Sequence, residues 1–554
     1  MRLIVTGFAG ANKALQPKLL PDGVGVDSTN QKPGRGDLRP WKVPLTVATV
    51  PSSRKTIYRM GRDVLDDTLY WLSWTTVVHA IRGFIASDTT ERTYFTGSGT
   101  PKVTDNTIGL SSAPYPTTSR ELGVPAPTTA LTVAVNTAGV TGDDILFYIV
   151  HTFVTDKGEE SKPSPVATIT TKIDSTLDLS DLEAAPAGNY GITLRRIYIT
   201  MPGQGNEGEF FRLLEQASSS TTATNQAITP SAIVLESNGP VNTTLRAWDM
   251  PPSDLKHLTA MWDGMMAGIS GRSVRYCEPY RPHAWPLAYE TLPPDVTPVA
   301  LGVWDKTLLV LTTGRPYVVT GSHSSTLGDD PVEFDESCVG ERSVAVVGRG
   351  VCWAAPDGLA RYGSDGPSGV ITGGIFTRDD WQALKPATII GTQYEGAYLG
   401  LYDLGGGTLK AFLIDPQNPT GVYFLDTGYS AAFFDKVNDN LYVLDGTNVK
   451  KWDAGTSFMT ATFKSKVFRT PKPLNMGWLE VTAETYPVSV TVTAKWVDSQ
   501  GTERTSTETK SVPSSNPVSL KGGFLATDWQ LEASTAGAVQ GIVIAESIGE
   551  LGAT

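Results

Sequence analysis

The sequence predicts an all-β chain organised around a β-propeller, with one β-sandwich inserted ahead of the main repeats and another after them. Three observations predict it. A hairpin recurs between about residues 255 and 454: 265–269 turns at Ser270-Gly271 into 274–276, 308–311 at Thr313-Gly314 into 317–319, and 351–354 at Asp357-Gly358 into 359–362. Residues 398–402 then turn at Gly405-Gly406-Gly407 into 409–412, and 441–444 at Asp445-Gly446 into 449–452. Asp-Gly and Gly-rich pairs between apolar runs mark hairpins, because these residues accept the positive φ of tight turns. The spacing is the second observation: Gly271, Gly314, Gly358, Gly406 and Gly446 are separated by 43, 44, 48 and 40 residues. That is the period of a four-stranded propeller blade. The third is that no long segment sustains a 3.6-residue apolar period, whereas 55 glycines and 37 prolines supply turns throughout.

The 554 residues are too many for one ordinary core, so three or four domains are expected. Hydrophobic residues at 40 % suffice for them, and charged residues at 18 % fall below the average of about 25 %. The net charge of −12 argues against broad binding to nucleic-acid phosphates. It leaves open a wall that repels DNA and lets it slide. Cys277, Cys338 and Cys352 form no close pair, which reads as small buried hydrophobes in the thiol form, with a disulfide or metal site as the alternative. The opening residues carry only a short apolar run, so no secretion peptide is expected. No window of about 18 apolar residues is present, so nothing is expected to span a membrane.

Taken in order, residues 1–44 are rich in turn formers and poor in repeating apolar positions, so they make no core of their own. They read as disordered or, preferably, as an extended N-terminal arm whose deletion should weaken assembly more than protomer stability. Arg35-Gly36-Asp37 spells an adhesion tripeptide, but three residues are too few to carry that reading. Residues 45–117 read as early propeller blade(s), with strands resuming between Lys55 and Lys102, and a Pro/Ser/Thr-rich linker composition follows over 103–128. Residues 118–240 form a set of alternating strands at 130–135, 145–155, 166–171, 193–200 and 210–214. The tyrosine-bearing strand, Gly158-Glu159-Glu160-Ser161 and Pro163-Ser164-Pro165 resemble a fibronectin type III module. The resemblance implies that strand aromatics pack between two sheets while the Gly-Glu-Glu-Ser bend leaves the sheet for solvent. Residues 241–455 hold the main blades. Residues 456–554 alternate at period two and read as a C-terminal β-sandwich, in which 505–510 is polar on both faces and so an edge strand at best.

The search for chemistry is mostly negative. A glycosidase propeller needs two opposed carboxylates. The loop acids Asp263, Asp305, Asp357, Asp403 and Asp435 are instead the residues that turns use for hydrogen bonding. The Ser-x-Asp-x-Gly-x-Thr-Trp turn of propeller sialidases does not occur. His79, His151, His257, His283 and His323 show no ligand spacing. No nucleophile elbow or phosphate loop occurs, and Gly405-Gly406-Gly407 reads as a turn. No catalytic residue, cofactor or metal is therefore expected. The aromatic and proline-rich loop 276–286 reads either as a contact loop at a subunit interface or as a loop covering its own blade.

Several features together resemble the tail nozzle, or tail hub, proteins of short-tailed bacteriophages. These are the N-terminal stretch with Phe8, Leu20-Pro21 and Gly36-Asp37-Leu38-Arg39-Pro40, the fibronectin-like insertion, and repeats opening with Met265-Met266-Ala267-Gly268 and Tyr276-Cys277-Glu278-Pro279. The resemblance covers the chain to about residue 455. It implies a non-enzymatic virion protein, made in the host cytoplasm and assembled as a homo-oligomer, a hexamer, at the end of the tail. It further implies contact with a tail adaptor protein and with fibres or spikes, and genomic DNA that passes without specific binding. The alternative class is a carbohydrate-binding or glycan-active β-propeller, either a receptor-binding protein or a glycosidase, marked by a cluster of acids and aromatics.

Overall fold

The computed structural model describes residues 1–61, 65–201, 209–229, 247–293 and 295–551. The end of the expected inserted module, 230–240, and the opening of the expected main blades, 241–246, lie outside the described residues. The protein is all-β, with one α-helix among the described residues, Arg378–Ala383. Four-stranded sheets in chain order recur over 79–121, 256–291, 298–331 and 345–370, and four consecutive strands over 390–425 form one end of a larger sheet. The hairpins expected from the Gly-containing turns lie inside such sheets. Ser270 pairs with Ser273, Ala355 with Gly358, Asp403 with Leu409 and Asp445 with Asn448. The chain forms two compact units: Met1–Thr75, Leu309–Pro316 and Pro331–Thr554 make the first, and Thr76–Leu308 and Tyr317–Asp330 the second.

In the first unit, sheets stack face to face. Strand Ala397–Asp403 shows how its sequence serves this. Successive side chains of a strand point to opposite faces, and both faces here are apolar. Tyr398 and Tyr402 enter a core with Cys352, Ala354, Leu359 and Trp381, while Leu399 and Leu401 enter another with Trp41, Leu413, Leu441 and Val443. Strand Asn440–Asp445 repeats the device. Leu441 and Val443 share that second core, whereas Tyr442 and Leu444 pack with Val50, Ile57 and Trp71. Continuous apolar runs, rather than half-polar alternation, are what strands covered on both faces require. Ala431–Asp435, Asn440–Asp445 and Asn448–Lys451 gain their fourth strand from the other part of the chain, Leu45–Thr49. Thr56–Arg59 and Trp71–Trp74 form a separate two-stranded sheet.

The C-terminal part of this unit is two sheets over one core. Trp478–Ala483 and Val539–Ala545 belong to one sheet, and Val488–Val497 and Ala526–Thr535 to the other. Leu479, Val481, Val490, Val492, Leu531 and Ile544 meet between them. Among the described residues Glu503–Val512 pairs only with Val488–Val497, so the polar strand lies at the edge as its sequence requires.

The first 44 residues are built into both parts. Arg2–Val5 pairs antiparallel with residues 542–545, and Asp27–Thr29 lies between Tyr423–Leu425 and Ala461–Lys464. This second strand makes the sheet of 390–425 continuous with a C-terminal sheet. The few apolar residues of the segment complete cores made elsewhere. Phe8 meets Phe463 edge to face at 4.9 Å, Leu38 enters the C-terminal core, and Trp41 enters the core beside Trp452. Gln31 donates to the Phe8 carbonyl at 2.7 Å and accepts from Ser28 Oγ at 2.7 Å, so the backbone between the strands is also held.

In the second unit, Thr132–Thr137, Thr176–Ser180 and Ala223–Ala227 form a three-stranded sheet. Ala167–Thr171, Ile145–Thr155, Ile192–Thr200 and Phe210–Ala217 form a four-stranded one. Phe147, Ile149, Leu177, Leu179, Ile197 and Ile199 fill the space between them. Tyr148, one position out of phase with Phe147, is 41 % exposed, so the strand aromatics do not all pack between the sheets. The expected solvent-facing bend is also corrected. Glu160 is 3 % exposed, and its carboxylate accepts from Thr152 Oγ1 and Tyr198 at 2.6 Å and from Arg196 at 2.8 Å. Three donors, one of them charged, make burial of that carboxylate tolerable. The rest of the unit includes sheets 79–121 and 256–291, where Tyr94, Leu122, Leu255, Met266, Cys277 and Trp285 form one core.

Candidate functional site

A cavity lies in the first unit, at one end of the sheet of 390–425. Strands Ile390–Tyr394 and Ala397–Asp403 are joined by a two-residue turn in which Glu395 and Gly396 have φ of 48° and 78°. Positive φ at both central positions is the tight hairpin turn that follows strand twist, and glycine adopts it at little cost. The turn places Tyr394 and Glu395 on one rim. Across the sheet, Leu413 pairs with Tyr423, and the chain between them carries Asp415, Gln417 and Asn418 along the opposite rim. The N-terminal segment supplies Trp41. The volume is about 410 Å³, within the range of about 300–1,000 Å³ typical of small-molecule sites.

Its walls are aromatic and its rims polar. The rings of Trp41 and Tyr394 lie 5.8 Å apart, and Trp452 backs Trp41 at 5.6 Å. Lys32 Nζ sits 4.8 Å from the Trp41 ring and pairs with Glu395 at 2.9 Å and Asp453 at 2.6 Å. Asp415 is exposed, receives the Gln417 backbone N–H at 2.9 Å, and has no cationic partner among the described residues. The indole N–H of Trp41, a side chain only 1 % exposed, has no hydrogen-bond partner among the described residues. Burial, with Glu395 and Asp453 nearby, pushes the Tyr394 hydroxyl up to about 12. Burial, with Asp415 nearby, does the same to Tyr423. Both therefore remain neutral donors at ordinary pH.

A second polar cluster lies within the second unit. Arg92 pairs with Asp88 at 2.9 Å and Glu159 at 3.0 Å, Arg120 holds Asp156, and Lys157 meets Asp105 at 3.3 Å. Burial opposes ionisation of Asp88, yet hydrogen bonds from Thr90 and Arg92 hold it down to about 2. The enclosed space is about 20 Å³, room for about one water. This network ties the sheet of 79–121 to the two-sheet body and leaves no space for a substrate.

The acids named from the sequence stand in their own turns. Asp263 and Asp305 have φ of 51° and 48°, and Asp403 accepts the Gly405 N–H at 2.7 Å within the glycine turn. Asp357 pairs with Arg378 at 3.2 Å on the surface. Asp435, 7 % exposed, accepts the Val437 N–H at 3.0 Å and lies 3.6 Å from Arg59. Asp37 is engaged by Arg39 at 3.0 Å. The three cysteines are free thiols, all buried, and burial pushes Cys277 and Cys352 up to about 12. The rings of His79 and His257 lie 4.1 Å apart, tilted by 44°, and His323 accepts the Ser325 N–H at 3.1 Å. His151 and His283 are buried, their ring nitrogens without hydrogen-bond partners among the described residues. Among the described residues no three His, Cys, Asp or Glu side chains are placed to hold a metal. The loop 276–286 buries Tyr276, Cys277, His283 and Trp285, whereas Tyr280 is 57 % exposed. Sequence reasoning did not find the cleft, because its residues come from three distant segments. The local signals were Tyr394-Glu395-Gly396 as a turn and the polar run Asp415-Pro416-Gln417-Asn418.

No family model matches the sequence, and no curated protein does. Among solved structures, the chain overlaps apo AztD from Citrobacter koseri with a TM-score of 0.23 at 13 % identity, over 55 % of this chain and 76 % of that one. It overlaps PorZ, a surface component of the type-IX secretion system of Porphyromonas gingivalis, with a TM-score of 0.26 at 11 % identity, over 86 % and 77 %. The Trypanosoma rangeli sialidase in complex with 2,3-difluorosialic acid gives 0.21 at 8 % identity, over 91 % and 96 %. Overlaps this slight carry neither a fold assignment nor a function. No helix among the described residues is long and apolar enough to cross a membrane.

Proposed function

We propose that the stacked sheets are blades of a β-propeller carrying a fibronectin type III-like insertion and a C-terminal β-sandwich, and that the protein is a structural component of a phage tail. In this reading six copies form the nozzle, or hub, ring through which the genome leaves, joined to an adaptor protein and to fibres or spikes. The supporting observation is the two-faced use of the central strands. Tyr398 and Leu399, or Leu441 and Tyr442, serve separate cores on opposite faces of one sheet, as blades between blades must. The Leu45–Thr49 strand completing the sheet of 431–451 suits a ring closed by both parts of the chain. A net charge of −12 suits a lining that DNA passes without adhering. Asp403 and Asp435 accept hydrogen bonds within their own turns, and Asp263 and Asp357 pair with surface cations, which favours a structural role over glycoside hydrolysis.

Mass photometry and electron microscopy of the purified chain, with and without tail partners, test the reading. Rings of six protomers are expected. A chain that remains monomeric with its partners and cleaves glycosides would overturn it.

A further inference from the structure

We propose that the cleft between the Glu395-Gly396 turn and the Asp415–Asn418 rim binds a neutral saccharide unit. The charges around it select against the other ligand classes. An anion would face Asp415 and Glu395. A cation seeking the aromatic wall would meet Lys32, already 4.8 Å from the Trp41 ring and paired with two carboxylates. A neutral polyol meets neither obstacle. Its C–H face can lie on the aromatic wall of Tyr394 and Tyr423, and its hydroxyls can meet groups the fold leaves without partners. Those groups are of both kinds. Asp415 offers a carboxylate oxygen not used by the Gln417 N–H, and Asn418 is exposed, its side-chain amide without a hydrogen-bond partner among the described residues. The Tyr394 and Tyr423 hydroxyls remain protonated donors. Trp41 backs that wall, its ring 5.8 Å from that of Tyr394. Few polar groups of fixed orientation within an apolar surround is the composition of a small-molecule site.

The proposal goes beyond the assembly role and does not depend on it, since ring formation and sugar binding are read separately. Saturation-transfer NMR on the full chain tests it with glucose, galactose, mannose, N-acetylglucosamine and their short oligomers. Transfer to at least one sugar is expected, with Asp415→Asn and Asn418→Ala each weakening affinity by about tenfold. Both side chains are exposed, so both variants should melt with the parent chain. Tyr394→Phe, which keeps the ring, should weaken binding less than Tyr394→Ala. Three results would overturn the proposal: no transfer from any sugar to the folded chain, transfer indifferent to the Asp415 and Asn418 variants, or sugar signals displaced by tetramethylammonium, which would make this a cation site.

Discussion

His151 and His283 are 0 % and 4 % exposed, and neither ring nitrogen of either finds a hydrogen-bond partner among the described residues. Burial, reinforced by Arg195 near the first and Arg281 near the second, lowers them to about 4 and about 3. In the unfolded chain both titrate near about 6.5. The unfolded state therefore takes up protons between pH 6.5 and 4 that the native state refuses. Their contribution is complete above pH 6.5 and is lost as pH falls towards 4 for His151 and towards 3 for His283, by up to about 3 kcal/mol for His151 alone. Urea midpoints measured across that window should fall with pH, and His151→Leu should flatten the slope. A midpoint constant from pH 6.5 to 4.5 would show that these rings are solvated. The acids divide by burial in the same way. Asp435→Ala strips a buried carboxylate from Arg59 and should cost about 3 kcal/mol or more. Asp403→Ala removes one turn hydrogen bond and should cost about 1 kcal/mol in thermal melts. That these acids serve turns was legible from their place beside glycines. The burial separating Asp435 from Asp403 was not, because it depends on Arg59, far away in the chain.

The N-terminal segment is the element whose structure its own sequence least announces. Residues 1–44 show no periodicity because they have no face of their own to cover. Phe8, Leu38 and Trp41 each fill a gap in a core made by residues beyond 390. Phe8→Ala should lower stability by about 3–5 kcal/mol. Gly25 leaves no room beside the strand it meets, since a Cβ there would lie 2.5 Å from the Lys464 carbonyl oxygen and 2.8 Å from the Phe463 ring. Gly25→Ala should cost about 1–3 kcal/mol, read in a denaturant titration. Deleting 1–44 should unfold the first unit, visible in limited proteolysis, rather than act mainly on assembly as its turn-rich sequence suggested. The hairpins were easier to read, because Asp-Gly and the glycine run report a local backbone requirement. The polar strand Glu503–Val512 was legible for a similar reason, as no second face remained to be covered. The Gly158–Ser161 bend misled because Glu160 looks like a solvent-facing acid until Arg196 and Tyr198 are brought to it by pairing across the sheet.

Across the whole molecule, the composition excluded more than it specified. A net charge of −12 predicts no retention on duplex DNA at physiological salt, checked by an electrophoretic shift assay at micromolar protein. A stable shift would count against a channel-lining role. Turn spacing reported the repeat, but which sheet borrows Leu45–Thr49 is a property of long-range pairing that no local pattern encodes. The pairing of Arg2 with Ala545 also sets a timetable. At about 5–20 residues added per second, the first strand leaves the ribosome about half a minute to two minutes before its partner exists. Leu38, which pairs with Val539, waits almost as long, and Phe8 waits for Phe463. Completion of the first unit thus waits for residues 542–545, and nascent chains that stall before them should be far more sensitive to protease near residue 8 than chains that carry them.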